Sequence, residues 1–468
     1  MPDTNGIQGV PRLPIRLVMP RQGTERRVPG GGSRREPFRQ VDEDYRGRLW
    51  REVTHISSAL ASQLGRLGAA PVRVKLLSRA AAKSHRPEHL FSSSTCPIVG
   101  AGALGELFIR ATSGGLENLA TAIRDAQGDR MVKELSCVET IEPVSPAYRR
   151  HGLNSSDILR RSPRSSGGFT ARVRLFDFGA DQHQEALVED FRTVCAERGL
   201  YLDSKGYSPL SLTYGVECRS ADDIEALSRV VGVRSVASMP LIRAVRPQML
   251  NRMSLPQLAS RSEYQGDIPV VVVVDSGISA ESSELESWVV GRESMVAPQY
   301  RNEEHGTFVA GLICWGAGLN PTIGGIDPNP CGVFDLQVIP NYDPARGDVD
   351  SMTEQEFLAA LEPVLRQHAN DYKVWNISLS TNAVCSLDEF STFAEELDNL
   401  QEQYQVSFVL SAGNYQTPPL LGYPRTDEQL ERGRITAPSD SVLGITVGPA
   451  RVRGGGPTSV LDKESAAY

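Results

Sequence analysis

Apolar residues at helical spacing open the first ordered segment that the sequence predicts. They recur every three or four positions as one stripe of an amphipathic helix, at Leu49, Val53, Ile56, Leu60, Leu64 and Leu67. Further elements follow, with strands at 72–77, 107–111 and 135–141 and a helix through 116–123. Residues 46–143 are therefore predicted to form a small α/β domain, after a disordered basic arm at 1–45 that is rich in Arg, Pro and Gly.

A second ordered segment alternates strands and helices between residues 169 and 245. Strand-like alternation and two helices, which begin after Asp181 and Ser220, give the order β-α-β-β-α-β. This order is that of a ferredoxin-like split βαβ unit. Residues rich in Ser, Pro, Arg and Gly at 144–168 and polar residues at 246–267 are expected to form a linker and a connector on either side.

The third segment begins with IPVVVVV at 268–274, an apolar run without alternation. Such a run is typical of a central strand in a parallel sheet that is covered on both faces. It ends at Asp275, and ligands of open α/β sheets bind at the carboxyl ends of strands. The predicted fold class is α/β, with a doubly wound parallel sheet preceded by small α+β domains, one of them ferredoxin-like.

The composition narrows the class of protein. The chain has 468 residues, a formal net charge of −8 and 40% hydrophobic residues, as several globular domains would have. The negative charge gives nucleic acid no general reason to bind, and no apolar run approaches the ~20 residues that span a bilayer. Seven scattered cysteines argue against a disulfide framework or a zinc motif, and the first residues lack the apolar core of a secretory signal. We expect a cytoplasmic protein with no metal and no other cofactor.

Asp275 alone is compatible with several classes of protein, including phosphatases and receiver domains. The segment EHGTFVAG around His305 distinguishes among them, because a histidine opens a helix built from small residues that can approach its neighbours closely. A phosphatase or receiver would need a second acidic cluster, which the sequence lacks. His85 and His89 are separated by Pro87 and have no third ligand, so we do not predict a metal site there.

Two more strands are predicted to end in polar residues. The segment VWNISLS at 374–380 is an inner strand, and the strand at 406–410 continues into Ser-Ala-Gly-Asn. Asn414 follows Gly413, and its side-chain N–H suits donation to a developing oxyanion. A turn residue is the alternative interpretation of Asn414.

Together these segments resemble the subtilisin-like serine proteases, the subtilase or peptidase S8 family. VDSGI at Asp275, HGTFVAG at His305 and SAGN ending at Asn414 are similar to the aspartate, histidine and oxyanion motifs of that family, in the order that subtilisin shows. The resemblance covers about residues 268–468 and implies an incomplete subtilisin-like domain that cleaves peptide or protein substrates.

The resemblance implies a role for each of these residues. His305 would act as general base and then general acid, and Asp275 would hold its imidazole in the required tautomer. Asn414 would stabilise the tetrahedral intermediate. A catalytic serine would complete the triad.

The resemblance also implies a substrate-binding strand. Ser378, Leu379 and Ser380, with Gly413, would bind an extended peptide that is added as a further strand. The family commonly has glycine where this chain has Ser380, so the pocket for the residue before the scissile bond does not follow from the resemblance.

Two further expectations come from the family. Its ferredoxin-like prodomain assists folding and blocks the cleft, and residues 169–245 resemble it in position and element order. The long region before the protease domain resembles that of bacterial intracellular subtilases encoded beside an AAA ATPase, which implies a possible AAA ATPase partner.

The serine of the expected triad has no counterpart in the sequence. Subtilisin has it about 66 residues beyond the oxyanion asparagine, which corresponds to a position near 480 or later. Ser459 is the nearest candidate, but Pro457 replaces a glycine and the residues after Ser459 are not small. The sequence is therefore expected to be a protease truncated before its nucleophile and inactive as it stands; the alternative is a natural pseudoprotease that binds peptides.

Overall fold

The computed structural model describes residues 36–165, 167–179, 181–243, 260–261, 267–319, 331–340, 351–413 and 434–448. These residues form two compact units. The amino-terminal unit contains the described residues up to Pro240, with Ser386–Glu389. The carboxy-terminal unit contains Leu241–Cys385 and the described residues from Phe390 onward. No helix of the described residues is long and apolar enough to cross a membrane.

The first sheet of the amino-terminal unit forms where the sequence predicts a small α/β domain. Its elements are α1 (Glu43–Ala59), α2 (Ala61–Leu67), β1 (Ala70–Leu76), β2 (Ile98–Ala101), β3 (Glu106–Ala111), α3 (Ser113–Arg124), α4 (Asp129–Cys137) and β4 (Val138–Pro143). The strands are antiparallel in the order β2-β3-β1-β4. The predicted apolar stripe of α1, with Leu49, Val53 and Ile56, lies in the core of this domain.

The end of the expected basic arm differs from the prediction. Residues 1–35 lie outside the described residues, but α1 already begins at Glu43. Asp42 caps the helix by accepting the N–H of Tyr45, and the buried Tyr45 hydroxyl donates to the carbonyls of Leu135 and Val138. The arm therefore ends before residue 43, because a cap and an anchored aromatic residue start the helix there.

The second sheet of the amino-terminal unit follows the predicted order of elements. The elements are β6 (Gly168–Leu175), α7 (Gln182–Glu197), β7 (Tyr201–Asp203), β8 (Thr213–Cys218), α8 (Ala221–Arg229) and β9 (Val233–Ser238). Asp181 caps α7, and Ser220 with Asp223 forms a capping box on α8. The antiparallel strands lie in the order β7-β8-β6-β9.

Residues 144–168 are not the linker that their composition suggests. They contain α5 (Pro146–Arg149), α6 (Ser155–Arg161) and β5 (Arg164–Ser165). Ser145 caps α5, with Pro146 in the first turn where its missing N–H costs nothing. The buried Arg149 side chain donates to the carbonyls of Ser228, Val231 and Val233, so this segment is anchored to the second sheet.

The carboxy-terminal unit is built on a parallel sheet, as predicted for its α/β class. The strands are β11 (Val270–Asp275), β12 (Val289–Ser294), β13 (Gly332–Gln337), β15 (Val374–Ile377), β17 (Ser407–Ser411) and β18 (Ile445–Val447), in the order β12-β13-β11-β15-β17-β18. The helices are α9 (Ser283–Glu286), α10 (Glu304–Leu319), α11 (Glu354–His368) and α12 (Thr392–Tyr404). The apolar run of β11 lies between β13 and β15, and its last four residues are buried.

A second, small sheet in the carboxy-terminal unit was not predicted. It consists of β10 (Leu241–Arg243), β14 (Ser351–Thr353) and β16 (Ser380–Thr381), in the order β14-β10-β16. Both pairings are antiparallel. The strand β10 therefore has a neighbour on each side.

Candidate active site

Asp275 and His305 are in direct contact, as the resemblance to subtilases implies. Asp275 is the last residue of β11 and is fully buried, and His305 lies in the first turn of α10. The Nδ1 atom of His305 is 2.8 Å from Oδ1 and 2.9 Å from Oδ2 of Asp275. A carboxylate only accepts hydrogen bonds, so Nδ1 donates and the Nε2 lone pair is left to accept a proton.

The small residues around His305 let α10 approach the turn after β11. A Cβ atom on Gly306 would lie 2.2 Å from the carbonyl oxygen of Gly277, so a side chain at 306 would push the helix away. Gly277 itself has a φ of +103°, a conformation that favours glycine. The Gly306 N–H also donates to Ser276 Oγ at 3.2 Å. The glycines of both motifs therefore set the position of His305 relative to Asp275.

The electrostatic setting favours a protonated imidazole. Burial alone would lower the pKa of His305, but the hydrogen bond and the negative charge of Asp275 outweigh burial and raise that pKa above its ordinary value. Asp275 Oδ1 also accepts the N–H of Ser276 at 2.6 Å. The pair can therefore stabilise an imidazolium formed when His305 takes a proton.

Two buried polar residues of β13, which the sequence analysis did not identify, contact the turn after Asp275. Gln337 Nε2 donates to the Ser276 carbonyl at 2.5 Å, and Asp335 Oδ2 accepts the Ile278 N–H at 3.0 Å. Burial raises the pKa of Asp335 to about 6, although this N–H and Arg292 oppose the rise. The sequence signal that could have identified both residues is their polar character within the apolar run VFDLQVI.

The other predicted positions follow neighbouring strands of the same sheet. The strands β11, β15 and β17 pair in parallel, so their carboxyl ends lie along one edge. Asp275 ends β11, Ser378 follows β15, and Gly413 lies two residues beyond β17. Gly413 has a φ of +116°, and a Cβ there would lie 2.3 Å from Thr436 Oγ1, so only glycine fits this position. Asn414 and Ser459 lie outside the described residues.

The predicted substrate strand has a segment of this same chain beside it. Ser380 pairs with Arg243 of β10, and Thr381 pairs with Ile242. Ile242 is 1% exposed and also pairs with Met352 on the other side. An extended segment is therefore bound in this unit by pairing on both of its edges.

Ser378 and Leu379 make other contacts. Asn376 Nδ2 donates to Ser378 Oγ at 2.8 Å. The buried Leu379 uses its carbonyl to accept the Ser411 hydroxyl at 3.1 Å, which joins the segment after β15 to the end of β17. Within the described residues, no group of three or more His, Cys, Asp or Glu side chains could hold a metal ion.

Residues 266–455 match the model of the subtilase family, peptidase S8. The match contains Asp275, His305 and the sheet that holds them. It confirms the resemblance to subtilases for this region and supports a subtilase-like protease.

Comparisons with individual proteins are less informative. No curated protein matches the chain. The structure of the "S41 Psychrophilic Protease" is 20% identical, with 40% of this chain and 55% of that chain covered and a TM-score of 0.25. The "MycP3 protease from the type VII (ESX-3) secretion system" is 18% identical, with 46% of this chain and 63% of that chain covered and a TM-score of 0.25. The "Prenylagaramide maturation protease PagA" is 19% identical, with 42% of this chain and 69% of that chain covered and a TM-score of 0.22. The chain spans less than two thirds of the length of the first two.

Proposed function

We propose that this chain is part of a subtilisin-like serine endopeptidase. The observation that carries the proposal is the buried contact of His305 Nδ1 with both oxygens of Asp275, inside the region that matches the subtilase family. In the proposed reaction, Nε2 of His305 takes the proton of a serine hydroxyl as the serine attacks the peptide carbonyl. The same nitrogen then gives that proton to the leaving amine, while Asp275 stabilises the imidazolium between the two steps.

The oxyanion of the tetrahedral intermediate would be stabilised by Asn414. Gly413, which must be glycine for steric reasons, precedes it just beyond the end of β17. Removal of one such donor in subtilisin costs about 10² to 10³ in kcat. We propose a similar loss for Asn414→Ala in the active form of this protein.

We propose that the nucleophilic serine lies outside residues 1–468. Ser459 does not suit the role, because Pro457 precedes it closely and Val460, Leu461 and Asp462 follow it where small residues would allow a close-packed helix. The chain 1–468 alone is therefore expected to be inactive.

A fluorophosphonate probe, which labels activated serines, tests this assignment. We expect no labelling of the chain 1–468. Labelling that disappears in Ser459→Ala would contradict the assignment and would make Ser459 the nucleophile. The intact mass of the protein purified from its source would show whether it continues past Tyr468.

Peptide binding is proposed to occur by strand addition at β16 and β14. The support is β10, whose residues Leu241–Arg243 pair with both of these strands. Since β10 lies at the carboxyl end of the 169–245 block, we propose that this block acts as an inhibitory, prodomain-like unit and that β10 takes the place of a peptide.

The strand pairing also supports a second candidate function, a pseudoprotease that binds peptides without cutting them. Strand pairing by β10 involves none of the proposed catalytic side chains, so binding does not require catalysis. If the natural protein is a pseudoprotease, His305→Ala should leave its peptide affinity unchanged, and no hydrolysis should be detectable.

The cellular setting is also a proposal. No disulfide links the seven cysteines, all of which lie in the described part of the chain, and this fits the reducing cytoplasm that we propose. A bacterial source and an AAA ATPase partner rest on the family resemblance alone. Cell fractionation, and co-purification of an ATPase with the tagged full-length protein, would test the setting and the partner.

A further inference from the structure

The strand β13 combines complete burial with two polar side chains. All six of its residues are buried, and Asp335 and Gln337 are only 5% and 3% exposed. Burial of polar groups costs free energy unless they form hydrogen bonds. Because they lie two residues apart on a strand, they share one face, and both contact the turn that follows Asp275.

The amide of Gln337 is fixed at both ends. Its Nε2 donates to the Ser276 carbonyl at 2.5 Å, and its Oε1 accepts the Ser294 hydroxyl at 2.6 Å. A Cβ on Gly277 would lie 2.4 Å from Nε2, so the amide fills the space that the missing side chain of Gly277 leaves open. The orientation of Gln337 is therefore defined by three separate constraints.

The carboxylate of Asp335 is held by a short chain of charges. Its Oδ2 accepts the Ile278 N–H at 3.0 Å and lies 3.4 Å from Arg292 Nε. Arg292 in turn makes two hydrogen bonds to Glu286, at 2.8 and 2.6 Å. Asp335 therefore presents a fixed acceptor to the backbone of the turn.

The same turn contacts the helix that carries His305. The Ser276 hydroxyl accepts the Gly306 N–H at 3.2 Å, and Thr307 Oγ1 accepts the Ser279 N–H at 2.8 Å. A displacement of the turn would therefore move Asp275, which directly precedes the turn in the chain. It would also move His305, because α10 is hydrogen-bonded to the turn.

We propose that Gln337 and Asp335 are positioning residues that hold the turn 276–278 and thereby set the geometry of the Asp275–His305 pair. The inference rests on the proposed roles of Asp275 and His305. Neither residue touches the reacting atoms, and their effect passes through the backbone of the turn. A displacement of about 1 Å in a catalytic group can cost 10²-fold in rate, so such support matters.

The test uses NMR of the whole chain 1–468 with labelled histidine. The readout is the Nδ1 proton resonance of His305, assigned by its loss in His305→Gln, because it reports the hydrogen bond to Asp275. Gln337→Met keeps the approximate side-chain volume and removes both hydrogen bonds. We expect this variant to shift the resonance upfield or to lose it through faster exchange with water.

A matched control exists in the same unit. Gln401 is 4% exposed and its Oε1 accepts the N–H of Phe408 at 2.8 Å, a residue of β17 and not of the turn 276–278. Gln401→Met should leave the His305 resonance unchanged. Asp335→Asn, which keeps an acceptor for Ile278, should retain the resonance, whereas Asp335→Leu should weaken it.

Wild-type resonances in both Gln337→Met and Asp335→Leu, with circular dichroism showing folded protein, would overturn the inference. If those variants do not fold, hydrogen exchange at the Ile278 N–H is measured in the folded variant Asp335→Asn. We expect the same exchange rate as in wild type. Greatly accelerated exchange would overturn the inference. The result is independent of catalysis. A natural-length protein that shows the resonance shifts but never hydrolyses peptides would contradict the proposed function and leave the positioning role intact.

Discussion

His305 in the carboxy-terminal unit and His89 in the amino-terminal unit make the same local contact with a carboxylate. His305 Nδ1 lies 2.8 Å from Asp275, and His89 Nδ1 lies 2.9 Å from Glu134. The His305 side chain is 10% exposed and that of His89 is 48% exposed. The contact alone therefore does not distinguish a catalytic pair from a structural one.

The two carboxylates, Glu134 and Asp275, differ in what surrounds them. The second oxygen of Glu134 accepts the N–H groups of His89 and Leu90, so this carboxylate caps a loop. Both oxygens of Asp275 face the imidazole of His305, and glycines hold the two motifs together. Burial, a close glycine contact and a position at the end of a central parallel strand are what favour catalysis at His305.

The largest expected effect is the difference in kcat between variants of Asp275 and variants of Glu134. In the natural-length protein, Asp275→Asn should lower kcat by about 10⁴-fold, because the amide stabilises the wrong imidazole tautomer. Glu134→Gln should leave kcat within a factor of two or so of wild type. Steady-state hydrolysis of a fluorogenic peptide measures both, and equal losses would contradict the distinction.

The next effect concerns the glycine contact. Gly306→Ala places a methyl group against the Gly277 carbonyl and should destabilise the carboxy-terminal unit by about 3 kcal/mol. Gly318→Ala on the same helix meets nothing within 4 Å and should be neutral or stabilising by up to about 1 kcal/mol. Urea unfolding followed by tryptophan fluorescence compares the two, and a tolerated Gly306→Ala would show that close approach is not required.

A pH-dependent effect of similar or smaller size is expected at Asp335. Burial raises its pKa from 3.8 to about 6, while Arg292 lowers it and Glu303 raises it further. Folding therefore favours the protonated form, and the stabilisation is complete below pH 3.8 and lost as the pH rises through 6. Complete loss corresponds to about 2–3 kcal/mol. Asp335→Asn should abolish this component, which urea unfolding at pH 4.5 and 7.5 would show; an unchanged pH dependence would contradict it.

The smallest effects belong to the structural pair. Glu134→Ala removes the acceptor of two backbone N–H groups and should cost the amino-terminal unit about 1–3 kcal/mol. His89→Ala removes a half-exposed partner and should cost less than about 1 kcal/mol. Thermal unfolding of the two variants tests this order. A greater cost for His89→Ala would mean that its ring, and not the cap, stabilises the loop.

The contact between Asp275 and His305 could be anticipated from the sequence because the two motifs that carry these residues are local. Asp275 ends an apolar run and His305 opens a glycine-rich helix, so each can be identified from its own neighbours. The cap residues Asp181 and Ser220 were identified for the same reason.

The features that the sequence did not predict depend on distant partners. The strand β10 acquires its role only by pairing with Ser380 and Met352, more than a hundred residues away. Gln337 and Asp335 can be recognised in the sequence as polar residues within an apolar run. Their hydrogen-bond partners, however, lie in the turn that follows β11. The helix at 146–149 could not be predicted from composition, because the Ser-Pro pair that starts it is equally typical of a linker.

The central claim is that His305 activates a serine, whereas His89, which is also paired with a carboxylate, does not. The most direct measurement is fluorophosphonate labelling of the protein at its natural length, in wild type, His305→Ala and His89→Ala. The account predicts labelling of wild type and His89→Ala at similar rates and loss of labelling in His305→Ala. Undiminished labelling of His305→Ala, or no labelling of the natural-length wild-type protein, would contradict it.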